Sequence, residues 1–175
     1  NNLGGGILIS DTEELSKIEN VEFSYLTGYD LEKNFEHIIL GSINFHQTKV
    51  EIEKVVFNNI FSEDAINIFR SEFKIYDANY NDIFSDAIDI DFSDGKIVKT
   101  NFENISNDAI DFSGSRVKVN NAYFDNVNDK IISAGEDSRI IINQIKGVDS
   151  YAGIVSKDGS KVYSENVNFD GVKIP

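Results

Sequence analysis

Hydrophobic and polar residues alternate in short runs along this chain, and the runs return at a constant interval. Ile66 and Ile68 share one face of such a run, as do Ile88, Ile90 and Phe92, and Ile110 and Phe112. Asn67, Asp89, Asp91 and Asp111 share the opposite face. Period-two alternation marks strands with one side in a core. The pattern predicts the isoleucines and phenylalanines inward and the aspartates outward to solvent. A one-residue slip would exchange the two sets, so the register is strongly specified.

The interval is about 22 residues. Asp86-Ala87-Ile88-Asp89-Ile90 is repeated as Asp108-Ala109-Ile110-Asp111-Phe112, and an earlier copy reads Asp64-Ala65-Ile66-Asn67-Ile68. The aspartates at 64, 86, 108 and 129 step by 22, 22 and 21 residues. A second ladder runs beside the first: Phe57-x-Asn59-Ile60, Tyr80-x-Asp82-Ile83, Phe102-x-Asn104-Ile105 and Phe124-x-Asn126-Val127, continued by Ile145-x-Gly147-Val148 and Phe169-x-Gly171-Val172. Phe23-x-Tyr25-Leu26 reads as a degenerate first copy. Asn and Gly tolerate a left-handed backbone, so the ladder predicts one bend per repeat. Stacked asparagines would link neighbouring rungs through their amides.

Self-similarity at this period predicts a solenoid, each repeat being one rung that needs neighbours to bury its apolar side. A leucine-rich repeat needs leucine in every copy, and here no leucine follows Leu40. Ile, Val and Phe fill the later core positions, which suits strands. The expectation is one all-β domain over residues 1–175, a right-handed parallel β-helix. Seven rungs are expected near 6–26, 41–61, 62–84, 85–106, 107–127, 128–150 and 151–172, with an insertion at 27–40 forming a loop or a short helix. Stacked at the inter-strand spacing, they would make a rod roughly 30–35 Å long.

Composition narrows the partners. The formal charge is −14, from 30 acidic and 16 basic residues. That field disfavours nucleic acid and anionic membranes. No apolar run approaches a membrane span, so no membrane insertion is expected. Cysteine is absent, which excludes a disulfide framework and thiolate chemistry. The chain opens at Asn1-Asn2 and offers no evident cap for the strand edges at its two ends. It is therefore expected to be part of a longer protein with neighbouring domains.

The runs Asp86–Gly95, Asn107–Ser115, Asp129–Ser138 and Gly153–Ser160 resemble right-handed parallel β-helix repeat proteins of the pectate-lyase-like kind. They are similar to the β-helical C-terminal region of large secreted bacterial proteins, some with a spore-coat-protein-H-like kinase domain upstream. The resemblance covers about residues 41–172. It implies an extracellular or cell-surface location, and calcium and substrate bound on the outer face of one parallel sheet. The chain itself carries neither a glycine-rich phosphate loop nor a His-Arg-Asp segment.

Three constellations could carry chemistry. Asp89 and Asp111 should be rung neighbours, where two charges repel by roughly 3 kcal/mol at an effective dielectric near 20. Asp89, Asp91 and Asp111 with water would suit calcium, which takes oxygen ligands; a solvated acidic face is the plainer reading. The turn aspartates 64, 86, 108 and 129 are expected to accept backbone amides, with calcium coordination as the alternative role. Lys157, with Lys130, Glu136 and Asp158, could bind a sugar acid, and Lys157 is the candidate catalytic base of a uronate elimination. Nearby carboxylates hold a lysine protonated, so neutralisation of the acidic face is the competing role. Asp89-x-Asp91-x-x-Asp94-Gly95 fails the EF-hand spacing. The sequon Asn104-Ile105-Ser106 lies on the asparagine ladder, expected to face inward.

The functional expectation is a non-catalytic β-helical module, a rigid spacer or polysaccharide-binding surface loaded with calcium. The alternatives are a calcium-dependent lyase or epimerase acting on a uronate polymer, and a segment of a phage or adhesion fibre.

Overall fold

The computed structural model describes residues 3–28 and 41–175. These form a parallel β-solenoid of about 22 residues per turn, with no helix among them. The first sheet stacks, in order, β1 (Ile7–Ser10), β4 (Gly41–His46), β7 (Asp64–Phe69), β10 (Asp86–Asp91), β12 (Ile110–Ser113), β14 (Lys130–Gly135) and β16 (Ala152–Ser156). The second sheet starts with β2 (Leu15–Glu19), β5 (Lys49–Glu53) and β8 (Glu72–Tyr76), each followed by a separate short strand. Those short strands are β3 (Glu22–Ser24), β6 (Val56–Ile60) and β9 (Asn79–Ile83). In later turns the two halves fuse into β11 (Asp94–Ile105), β13 (Arg116–Val127), β15 (Arg139–Val148) and β17 (Lys161–Asp170). The coil makes roughly six turns rather than seven, because six steps separate the first and last of the seven strands stacked in the first sheet. The expected insertion falls almost wholly on residues 29–40, outside the described residues.

The interior is the apolar set that alternation selects. Ile66, Ile88, Ile110 and Ile132 pair in one column, and all are fully buried. An aromatic column stacks beside it: Phe23, Phe57, Tyr80, Phe102 and Phe124, with successive centroids 5.3, 4.8, 5.0 and 4.8 Å apart. Gly147 ends the column. It pairs with Phe124 below and Phe169 above, and a side chain there would collide with Ile131 and Phe169. Gly147 is thus no member of the bend ladder.

Bends occur three times per turn, each at a residue with positive φ. One ladder is Tyr25, Asn59, Asp82, Asn104, Asn126, Asp149 and Gly171. Another splits the second sheet at Asn20, Lys54, Asp77, Lys99, Asn121, Gln144 and Asn166. The third links first sheet to second at Asp11, Gln47, Arg70, Phe92, Gly114, Glu136 with Asp137, and Asp158 with Gly159. Asn and Asp occupy many of these places because they adopt the left-handed conformation at low cost.

Two expectations change here. Phe92 is a bend residue (φ 49°), half exposed, with its ring across the bare Cα of Gly114. Alternation stops at Asp91, and the left-handed residue after it turns outward. Asn104 also lies on the outside of its bend, exposed, with its Nδ2 donating to Asp82 and its Oδ1 accepting from Asn126 Nδ2. The asparagine ladder links side chains on the surface and leaves the core to the aromatic stack.

The buried polar ladder is made of serine instead. The amides of Thr48, Ser71, Ser93, Ser115 and Ser138 donate to the hydroxyls of Ser71, Ser93, Ser115, Ser138 and Ser160, at 2.9–3.1 Å. Each step satisfies a backbone amide that the bend would otherwise leave without a partner.

Candidate functional site

Parallel stacking brings residues 22 positions apart to neighbouring rungs, so each outward column of the first sheet can be read as a row. The central row is Asn44, Asn67, Asp89, Asp111, Ser133 and Val155. A second contains His46, Phe69, Asp91, Ser113 and Gly135, and one further step reaches Lys157. At the start of the strands lie Asp64, Asp86 and Asp108, followed in register by Lys130 and Ala152.

Asp129 is therefore not the fourth rung of the aspartate ladder. Its 21-residue step was the sign, and Lys130 holds the place. The ladder's bonds also differ from a local turn motif. Asp86 Oδ1 accepts the amide of Asp108, and Asp108 Oδ1 accepts the amide of Lys130, both at 2.9 Å and both one rung on. Lys130 Nζ caps the ladder, donating to both oxygens of Asp108 at 3.1 and 3.2 Å and to Asp129 at 2.5 Å.

The carboxylates converge across these rows. Oxygens of Asp86, Asp108 and Asp111 lie within 4.8 Å of one another. Asp64 stands below Asp86, and Asp89 and Asp91 lie on the rung of Asp86. The acidic strip is on the outer face, as alternation requires, yet it is not a freely solvated surface. Asp64 and Asp108 are only 2% and 4% exposed, and Asp89, Asp91 and Asp111 are half-buried. Asn67 Nδ2 donates to Asp89 Oδ2 at 2.9 Å. On this face three buried oxygens have no partner among the described residues: Asp64 Oδ2, Asp111 Oδ1 and the hydroxyl of Ser133, next to Asp111 in its row.

Electrostatics follow from that crowding. Burial, reinforced by the neighbouring acids, pushes Asp64 up to about 9. Burial lifts Asp86 to about 6, against the relief its bond to the Asp108 amide provides. Asp89 and Asp91 are raised by burial and by adjacent carboxylates, with Glu136 adding to the effect at Asp91. Burial raises Asp108, although the Lys130 amide and ammonium partly offset it. For Lys130 burial works to lower the pKa, and the hydrogen bonds to Asp129 and Asp108 more than reverse that. Lys130 is a counter-ion, held protonated.

The other sequence-selected residues sit apart from this centre. Lys157 is exposed, three rungs beyond Asp91 in that row, with its alkyl chain over Gly135. Glu136 and Asp158 are exposed bend residues with φ of 56° and 52°. His46 stacks on Phe69 at 4.8 Å, and Arg70 lies over the same ring. Sequence reasoning weighed calcium at Asp86 and Asp108 but kept them in a ladder apart from Asp111, and it missed Ser133 as the neighbour of Asp111. The signal was present, since 108 and 111 are three apart and 111 and 133 differ by one turn.

An all-oxygen set of crowded carboxylates with orphaned lone pairs is satisfied by protons or by a hard cation. Calcium takes six to eight oxygen ligands and accepts irregular geometry. Asp86, Asp108, Asp111 and the Ser133 hydroxyl fit such an ion in chemistry. No protein-family model matches the chain, and no curated protein matches it either.

Proposed function

We propose that the chain is a non-catalytic β-helical module of a larger extracellular or cell-surface protein, a rigid spacer that binds calcium on the outer face of its first sheet. The observation that carries the reading is the convergence of Asp86, Asp108 and Asp111 beside the unpartnered oxygens of Asp111 and Ser133. A divalent ion there would cross-link successive rungs. It would also offset the mutual repulsion of these crowded carboxylates. Asp89, one rung from Asp111 in the same row, and Asp91, in the row beside it, are the other two ligands expected from alternation and would supply further charge.

The support for a rod is the unbroken pairing through every rung and the continuous aromatic stack. Lys157, the candidate base of the lyase alternative, is exposed three rungs beyond Asp91 and away from the converged carboxylates, which favours the non-catalytic reading.

Thermal melts with calcium and with chelator test the cation. An ion at a hundred times its dissociation constant adds about 2.7 kcal/mol. For a domain of this size that is a rise of roughly 5–10 °C. Asp111→Asn should lose most of the rise. Superimposable melts of the unaltered protein in calcium, magnesium and chelator would remove the cation from the reading.

A further inference from the structure

Lys130 ends the run of aspartates in the corner row at the point where that row meets the carboxylate cluster. Asp64, Asp86 and Asp108 lead up to it, one rung apart. At Asp108 the bonding doubles. Its Oδ1 accepts the Lys130 amide at 2.9 Å and Lys130 Nζ at 3.1 Å, and its Oδ2 accepts the same Nζ at 3.2 Å. The ammonium also donates to Asp129 Oδ2 at 2.5 Å. The Asp108 side chain is 5% exposed and that of Asp129 38%. One cation is therefore shared between a buried carboxylate and an open one.

Asp108 is also one of the three carboxylates whose oxygens converge within 4.8 Å. The other two, Asp86 and Asp111, make no ion pair among the described residues. More than acidity marks the place. The Ser133 hydroxyl beside Asp111 is fully buried and unpartnered, and so is Asp64 Oδ2 at the foot of the corner row. The chain thus brings one positive charge of its own to a set of oxygens that suits a hard cation.

We infer that Lys130 is a built-in competitor for the cation site: it holds Asp108 in the ion-free protein and releases it, keeping Asp129, when a divalent ion binds. This rests on the calcium reading above and adds the regulation of that site. The argument is Coulombic. An ammonium hydrogen-bonded to a ligand carboxylate stands close to any ion that carboxylate takes, and like charges repel strongly at such range in a half-buried setting. Asp129 supplies the alternative seat. A lysine's flexible stem and compact ammonium can keep that partner while giving up Asp108. The consequence is a threshold. Where the ion is scarce the lysine neutralises Asp108, and only a sufficient concentration of the ion exchanges with it.

The test is calorimetric titration of the whole chain with calcium, beside melts in calcium and in chelator. Lys130→Gln keeps a donor for Asp108 and drops the charge. It should bind calcium roughly tenfold more tightly and melt lower than the unaltered chain in chelator, so its calcium-induced rise is larger. Lys157→Gln removes an equal charge two rungs beyond Asp111, ~10 Å away and past the ~8 Å Debye length of physiological salt. It should shift the constant by less than about twofold, which separates competition at Asp108 from a change in net charge. A second measurement needs no variant. Calcium should increase acylation of Lys130 by an amine reagent relative to Lys157, read by mass spectrometry, because Nζ loses one of its two carboxylates. A calcium response in the unaltered chain, with Lys130→Gln binding no more tightly or with Lys130 labelling unchanged, overturns this inference and leaves the cation reading standing. No response in either the unaltered chain or Lys130→Gln overturns both. A response seen only in Lys130→Gln upholds the inference, since the lysine then fills the site in the unaltered chain.

Discussion

The ion-free protein should become less stable as pH rises from 4 towards 8, the reverse of a protein held by ionised carboxylates. Asp86 shows why. Its carboxyl is raised to about 6 in the folded chain, from 3.8. A carboxyl that binds its proton more tightly when folded favours the folded state at low pH. Below the unfolded value both states are protonated and the folded chain is not penalised. Above it the unfolded chain ionises first, and stability falls until the folded group has also ionised. The gap between the folded and unfolded values is worth about 3 kcal/mol for Asp86 alone, lost mostly between roughly pH 4 and 6. Asp64, raised to about 9, extends the loss to higher pH. Urea titrations at intervals of pH, in chelator, measure the slope. Asp86→Asn retains the acceptor for the Asp108 amide and should flatten the profile by that amount. Saturating calcium at pH 7.5 should recover stability in the unaltered chain. Stability that is level or increasing from pH 4 to 7 without metal would refute the argument that these carboxyls are buried against their charge.

Two further substitutions test the internal ladders. Ser115→Ala removes the acceptor of the Ser93 amide, 3.0 Å away at a residue 2% exposed. An orphaned buried donor costs about 1–3 kcal/mol, visible as a lower urea midpoint, whereas Ser160→Ala at the half-exposed end of the ladder should cost less. Phe102→Ala takes one ring from the middle of the aromatic column and should destabilise by roughly 3–5 kcal/mol in the same measurement, with the circular dichroism spectrum of the unaltered chain retained if the variant folds.

Much of the architecture could be read from the chain because a solenoid is a local code repeated. The inward set at 66, 68, 88, 90, 110 and 112 and the aromatic stack both follow from alternation and period. Errors enter where the period wavers. The bend at Glu136 and Asp137 has two left-handed residues, so the pairing steps by 23 there, from Arg116 to Arg139. From Asn126 a step of 23 puts the bend at Asp149, whereas the motif at Gly147 implied a step of 21. Phe92 departs from expectation for another reason, since alternation does not announce where a strand turns.

The amino-acid order alone was enough for a parallel coil of about 22 residues per turn with isoleucine inside and aspartate outside. That much rests on side-chain alternation and repetition, which are properties of neighbouring residues. Winding decided the rest. Only the stacked coil puts Asp86 and Asp108 against Asp111 and substitutes Lys130 for an aspartate. Most of those groups are a full turn or more apart along the chain, and a one-residue change in any turn would part them.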